Sequence, residues 1–149
     1  MDYFLREDQK LKATRPSAVL NPLKVVITNY YGKGFGDNGK AIALELHRRV
    51  SNIDIVWLVN QTDNTFPIWI RQVKYGSIKS VYELVTAKFW IDNARKRKYV
   101  RKREQQYYIQ TWHGSIALKQ IEKDAEDKLP KDYLDSAKND SKMANLLLS

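Results

Sequence analysis

Lys24-Val25-Val26-Ile27-Thr28-Asn29-Tyr30, followed by Tyr31-Gly32-Lys33-Gly34-Phe35-Gly36-Asp37-Asn38-Gly39, decides how this chain folds. The first seven residues are a β-branched apolar run, the pattern of a strand buried on both faces. The glycine-rich stretch reads as a loop. Asp37 or Asn38 stands where it caps a following helix, in which Ile42, Leu46 and Val50 recur every four residues. Asp54-Ile55-Val56-Trp57-Leu58-Val59 is a second buried strand.

The alternation continues outward from there. A polar loop over 60–65 leads to a strand over Ile68–Tyr75, and Gly76-Ser77 starts a helix whose buried stripe is Ile78, Val81, Tyr82 and Val85. Lys88–Asp92 and Tyr107–Trp112 read as further strands, and the chain from His113 to about Asp127 as helix or turn. Pro130 opens another helix through Ala137 or beyond. Upstream, residues 1–14 read as a short amphipathic helix ended by Pro16, with a linker to Pro22. Strands and helices joined by short loops predict an α/β fold, a parallel sheet with helices on both faces. The expected division is a helix and linker over 1–21 and one Rossmann-like domain over 22–149. Asn145-Leu146-Leu147-Leu148-Ser149 begins a new apolar segment and stops, as a chain continuing into a second domain would.

The chain has 149 residues, 43% of them apolar, and no cysteine. That length suits one domain burying roughly two-thirds of its unfolded surface. The absence of cysteine excludes thiol nucleophiles, Cys-ligated zinc and iron–sulfur clusters, and with only His47 and His113 no metal site is expected. No window reaches the roughly 18 apolar residues of a membrane span, and Met1-Asp2-Tyr3-Phe4-Leu5-Arg6 lacks the order of a signal peptide, which predicts a cytoplasmic protein. The formal charge is +9, but Arg95-Lys96-Arg97-Lys98-Tyr99-Val100-Arg101-Lys102-Arg103 holds seven cations in nine positions, leaving +2 elsewhere. Such a local patch reads as a funnel for a polyanion (nucleic acid, anionic lipid or a phosphate-rich substrate) or as a solvated loop.

In a parallel sheet, functional groups gather at the carboxyl ends of strands, at a topological switch point. Two segments fall there: the glycine loop and Thr111-Trp112-His113-Gly114. Gly34-Phe35-Gly36-Asp37-Asn38-Gly39 satisfies G-x-G-x-x-G between strand and helix. However, Tyr31-Gly32-Lys33 lengthens the loop, and Val59-Asn60-Gln61 stands where the acidic ribose ligand of a dinucleotide would be expected, so no nucleotide cofactor is assigned. The loop serves instead either as a simple turn or, with Lys40 at the helix N-terminus, as an anion contact. His113, between Trp112 and Gly114 at a strand end, is placed as a general base. His47, among Leu46, Arg48 and Arg49, reads as structural or surface.

Three segments together, Tyr30 to Lys40, Ala87-Lys88-Phe89-Trp90-Ile91-Asp92-Asn93-Ala94-Arg95, and Tyr108-Ile109-Gln110-Thr111-Trp112-His113-Gly114 with Lys119, resemble the CDP-glycerol glycerophosphotransferases of bacterial teichoic acid and capsule synthesis. The resemblance covers about residues 24 to 149. It implies the N-terminal, acceptor-side half of a two-domain GT-B arrangement, with the CDP-glycerol-binding domain beyond Ser149. It also implies that His113 takes the proton of an acceptor glycerol hydroxyl that attacks the β-phosphate of CDP-glycerol and expels CMP. Lys40, Arg95 and Lys119 become candidate phosphate contacts, with Asn38, Asn93 and Gly114 lining the same site. Arg95, Lys96, Arg97, Lys98, Arg101, Lys102 and Arg103 would grip a polyanionic or lipid-linked acceptor, or hold the enzyme on the inner face of the membrane. Gly39 stands where the commoner family pattern has proline. The rival is a nucleic-acid-binding module using the basic run with Tyr99, Tyr107 and Tyr108. Against it, those cations lie in one loop of an α/β unit and not on a reading helix.

Overall fold

A computed structural model describes residues 19–112 and 129–148. Strands β1 (Asn21–Thr28), β2 (Asp54–Val59), β3 (Ile70–Lys74), β4 (Ala87–Asp92), β5 (Tyr107–Gln110) and β6 (Leu146–Leu147) form one sheet of order β3-β2-β1-β4-β5-β6. Every neighbouring pair is parallel. The helices are α1 (Asp37–Arg49), α2 (Ile78–Thr86) and α3 (Lys131–Met143). Strand order runs outward in one direction from β1 and in the other from β4, so the switch point lies between those two central strands. The expected α/β class and parallel sheet are what the chain forms. The Leu146–Leu148 run contributes the sixth strand, where the sequence alone read only the start of another segment.

Side chains of the central strands alternate between two cores, as the period of two requires. Val25, Ile27, Ile55, Trp57 and Val59 point to the α1 face and join Ala43, Phe66 and Ile91. Val26, Val56, Leu58, Trp90 and Tyr108 point to the other face, where Leu84 of α2 and Met143 of α3 pack. Helices therefore cover both faces. On the α1 face the approach is close because Gly39 has no side chain: a Cβ there would sit 3.0 Å from Ile27 Cγ2 and 3.1 Å from Trp57 Cη2. Phe35 stands edge-on to Trp57 at 5.1 Å and tilts onto Phe66 at 4.9 Å, closing that core with aromatic contacts.

Several local expectations are corrected. Neither Asp37 nor Asn38 caps α1; the cap is Gly36, and the Asp37 carboxylate instead accepts from the Asn38 N–H at 2.8 Å and from Asn93. The strand expected from Ile68 begins at Ile70, with Ile68 fully exposed. The strand expected to reach Trp112 ends at Gln110. Helix α2 does start at the Ser77 cap, whose hydroxyl accepts from the Ser80 N–H. It is rotated about its axis, so that Ser80, Val81, Leu84 and Val85 face the sheet while Ile78 and Tyr82 are 62% and 53% exposed. The reason is Glu83: it reaches inward to meet Lys24 at 2.7 Å and Arg71 at 2.9 Å, and a buried carboxylate requires such partners. Pro130 precedes α3 as expected. The helices expected over 1–14 and after His113 lie outside the described residues.

Candidate functional site

The crevice between β1 and β4 is held by a buried amide. Asn93, the residue after β4, is 2% exposed; its Oδ1 accepts from the Tyr30 N–H at 2.8 Å, and its Nδ2 donates to Asn29 Oδ1 and, at 2.6 Å, to Asp37 Oδ2. Asn29 in turn builds the glycine loop, its carbonyl accepting from the N–H groups of Gly32 and Lys33. Gly32, with φ +96°, packs on Asn60 at the end of β2, where a Cβ would meet Asn60 Oδ1 at 2.8 Å. Asn38 is exposed and donates to the Thr111 carbonyl at 3.3 Å, tying the start of α1 to the end of β5. The Lys40 ammonium lies over the Phe35 ring at 5.3 Å.

Backbone strain collects at this edge. Among the described residues, the non-glycine residues with positive φ are Tyr30, Tyr31, Asp37, Trp112 and Asn52, and only Asn52 lies elsewhere, in the turn before β2. Each such conformation costs about 1–3 kcal/mol and persists only where surrounding contacts over-determine it, which is why strain marks functional sites. Partial burial and the bond to Asp37 raise the Tyr30 phenol above its ordinary value.

A second network underlies the end of β5. Asp92, the last residue of β4, pairs with the Lys96 ammonium at 2.6 Å, and both are buried. The Lys96 N–H donates to Asp140 Oδ1 of α3 at 2.7 Å, and Tyr108 donates its hydroxyl to the same oxygen at 2.9 Å. Gln110 Nε2 donates to the Ala94 carbonyl, the Tyr108 oxygen and Asp140 Oδ2, while Gln110 Oε1 accepts from the Trp112 N–H at 2.9 Å. The Arg95 guanidinium lies 4.7 Å above the Trp112 ring. Lys96 thus meets Asp92 through its ammonium and Asp140 through its backbone N–H. Burial pushes Asp92 up despite the Lys96 charge; burial opposes the Lys96 charge, but Asp92 overcomes it and Lys96 is also raised. Burial and the neighbouring Asp92 and Asp140 push the Tyr108 phenol up as well.

Against this geometry, the profile of the CDP-Glycerol:Poly(glycerophosphate) glycerophosphotransferase family matches residues 10–149. The chain belongs to this family. Its relatives include the teichoic acid poly(glycerol phosphate) polymerase of Staphylococcus epidermidis, 32% identical over 106 residues, with 70% of this chain and 15% of that protein covered. The Bacillus spizizenii protein of the same description is 28% identical over 114 residues, covering 72% of this chain and 28% of the relative. Among solved structures, a histidine-to-asparagine variant of the wall teichoic acid polymerase TagF superposes with a TM-score of 0.85 at 26% identity, covering 96% of this chain and 36% of that one. This glycerophosphotransferase-family chain therefore spans well under half the length of those relatives.

Two assignments change on this family scaffold. Asn93, an expected substrate contact, is buried with both polar atoms of its amide bonded within the protein, where it braces the crevice. Lys96 was expected on an exposed polyanion-binding run, but it is 7% exposed and ion-paired, because its side chain lies over Trp90 and Tyr108 and beside Asp92. Much of the remaining run is tied to the fold too. Lys98 pairs with Asp132 at 2.7 Å, Arg101 donates to the Lys98 and Val100 carbonyls and to Asn139, Lys102 to the Gln106 carbonyl, and Arg103 to the Val85 carbonyl. The loop is stapled to α3. His113, Gly114 and Lys119 lie outside the described residues. His47 stacks flat on Trp69 at 4.0 Å. Among the described residues no trio of acidic or histidine side chains is grouped to hold a metal, and no helix is long and apolar enough to cross a membrane.

Sequence reasoning did not place Asp37, Gln110 or Asp140 at the site, and Tyr108, read there as an aromatic available to nucleic acid, is fully buried. Gln110 carried a signal, since a polar side chain at an inward strand position needs a buried partner. Asp140 carried none, because its partners are 30 or more residues away.

Proposed function

We propose that this chain is the acceptor-side, Rossmann-like domain of a GT-B glycerophosphotransferase that transfers glycerol phosphate from CDP-glycerol to a growing glycerol-phosphate or glycan acceptor in teichoic acid or capsule synthesis. The supporting observation is the family match over residues 10–149, combined with a strained, braced carboxyl edge at the switch point, where the segment leading to His113 leaves β5. In this reading His113 takes the proton from the acceptor's terminal hydroxyl. The oxygen attacks the β-phosphorus in line, the bond to the α-phosphate oxygen breaks, and CMP leaves with that electron pair. Such transfers depend mainly on positioning and on neutralising charge. Arg95, held over Trp112, and Lys40 and Asn38, at the start of α1, are the described candidates for acceptor contacts; Lys119 and Gly114 complete the set. CDP-glycerol is bound by residues outside these 149. The outer cations of the 95–103 loop, Arg97, Lys98, Arg101, Lys102 and Arg103, contact the polyanionic acceptor or an anionic membrane surface at the cytoplasmic face.

The test is His113→Ala in the full-length transferase that carries this sequence, assayed by CMP release with CDP-glycerol and a glycerol-phosphate acceptor. Release is expected to collapse while circular dichroism stays native. A wild-type rate would reduce His113 to a structural residue.

A further inference from the structure

We propose that Asp140 and Gln110 are positioning residues of this site, acting through the backbone of Trp112 to fix the direction in which the chain leaves β5 toward His113. The proposal rests on the reading that residue 113 takes part in transfer.

Trp112 has φ +53°, a conformation that a bulky side chain adopts only under constraint. The constraint is visible as a relay. The Trp112 N–H is taken by Gln110 Oε1, which turns the backbone back on its own strand. Gln110 cannot swing away, because its Nε2 is held by the Ala94 carbonyl, the Tyr108 oxygen and Asp140 Oδ2. Asp140 is fixed in turn by the Lys96 N–H and the Tyr108 hydroxyl, and it is 1% exposed. Helix α3, far along the chain, thereby governs a backbone angle next to His113. Only an amide side chain performs Gln110's part, since it must accept at one end and donate at the other. The Arg95 guanidinium above the Trp112 ring adds a second restraint. The Ala94 carbonyl bonded to Gln110 ties the Arg95 backbone into the same relay.

The experiment compares Gln110→Ala, Gln110→Glu and Asp140→Asn in the full-length transferase. It reads the backbone HN–Hα coupling and Cα shift of Trp112 by NMR, together with kcat and KM for CDP-glycerol. Gln110→Ala and Gln110→Glu are expected to lose the left-handed signature and to lower kcat by roughly 10²-fold, the cost of about 1 Å of misplacement, with KM unchanged. Asp140→Asn, which keeps an acceptor but loses charge, should fall between. Adding Trp112→Gly to Gln110→Ala should restore part of kcat, because glycine takes a positive φ without strain. Glu83→Gln, at the opposite edge, should change neither reading. The proposal is overturned if Gln110→Ala keeps the left-handed signature, or loses it while kcat stays at the wild-type value. Should His113→Ala keep its rate while Gln110→Ala still loses the signature, the catalytic reading of residue 113 fails and the link from α3 to Trp112 stands.

Discussion

The same face of the sheet carries two buried charge clusters at opposite ends, and they are built differently. At the amino end, Lys24 and Arg71 meet Glu83 and Asp54, two cations against two carboxylates. At the carboxyl end, Asp92 holds the Lys96 ammonium, while Asp140 accepts from the Lys96 backbone N–H, the Tyr108 phenol and the Gln110 amide. The first is charge-balanced and lies among regular strands and a helix, with no strained residue of the carboxyl edge attached. The second has one ion pair, Asp92 with Lys96, beside a carboxylate held by N–H and O–H donors, and is bonded to a strained backbone beside the candidate site. The first cluster ties a helix to strands; the second ties α3, through Gln110, to the backbone of Trp112.

The comparison can be tested first by breaking each cluster. Glu83→Ala leaves the buried Lys24 charge without its partner and should cost about 3–5 kcal/mol in urea unfolding; Asp140→Ala leaves buried donors unpaired, at about 1–3 kcal/mol for each. Only Asp140→Ala should also alter the Trp112 signals. Equal effects on Trp112 would erase the distinction.

A smaller and more discriminating effect is the sign of pH dependence. Burial alone would raise Glu83, but Arg71 and Lys24 overcome it and hold the carboxyl below its ordinary 4.5. Its contribution is therefore present above that pH and lost as pH falls through the lowered value. Asp92 lies above its ordinary 3.8, so the native state keeps a proton the unfolded chain has released, and its contribution is lost as pH rises through the raised value. Relative to wild type, Glu83→Gln should gain stability as pH falls below 4.5, and Asp92→Asn as pH rises above 3.8. Urea midpoints across that range check both, and slopes of the same sign would contradict the contrast.

Two lesser effects calibrate the ends. Ser77→Ala removes the α2 cap, which follows the carboxyl end of β3, and should cost about 1 kcal/mol in the same urea titration. Lys98→Ala removes an exposed, solvent-screened pair with Asp132 and should barely move the urea midpoint, while weakening salt-dependent binding to anionic vesicles if the outer loop contacts membrane. A stability loss as large as that of Glu83→Ala would place Lys98 in the interior network with Lys96.

β1 and β2 were readable as short β-branched runs bounded by loops, while β6, only two leucines long, was not; the helices were located by spacing, although the cap of α1 is Gly36. What misled the reading of α2 was the assumption that apolar residues alone choose the buried side; Glu83, paid no attention by a hydrophobic count, turns the helix by its two ion pairs. The basic run misled in the same way. Its charge density was plain, but charge density does not say that Lys96 lies under the loop against Trp90, or that Arg101 and Lys102 cap backbone carbonyls.

By itself the sequence determined the α/β class, the parallel sheet, the family resemblance and the importance of the carboxyl edge, because these follow from local periodicity and from contiguous motifs. Only the tertiary structure decided that Asn93 ties β4 to the glycine loop, that Lys96 is interior, and that Asp140 reaches Trp112 through Gln110. Those facts depend on which side chains from distant segments meet in a desolvated space, where every donor and acceptor must find a partner.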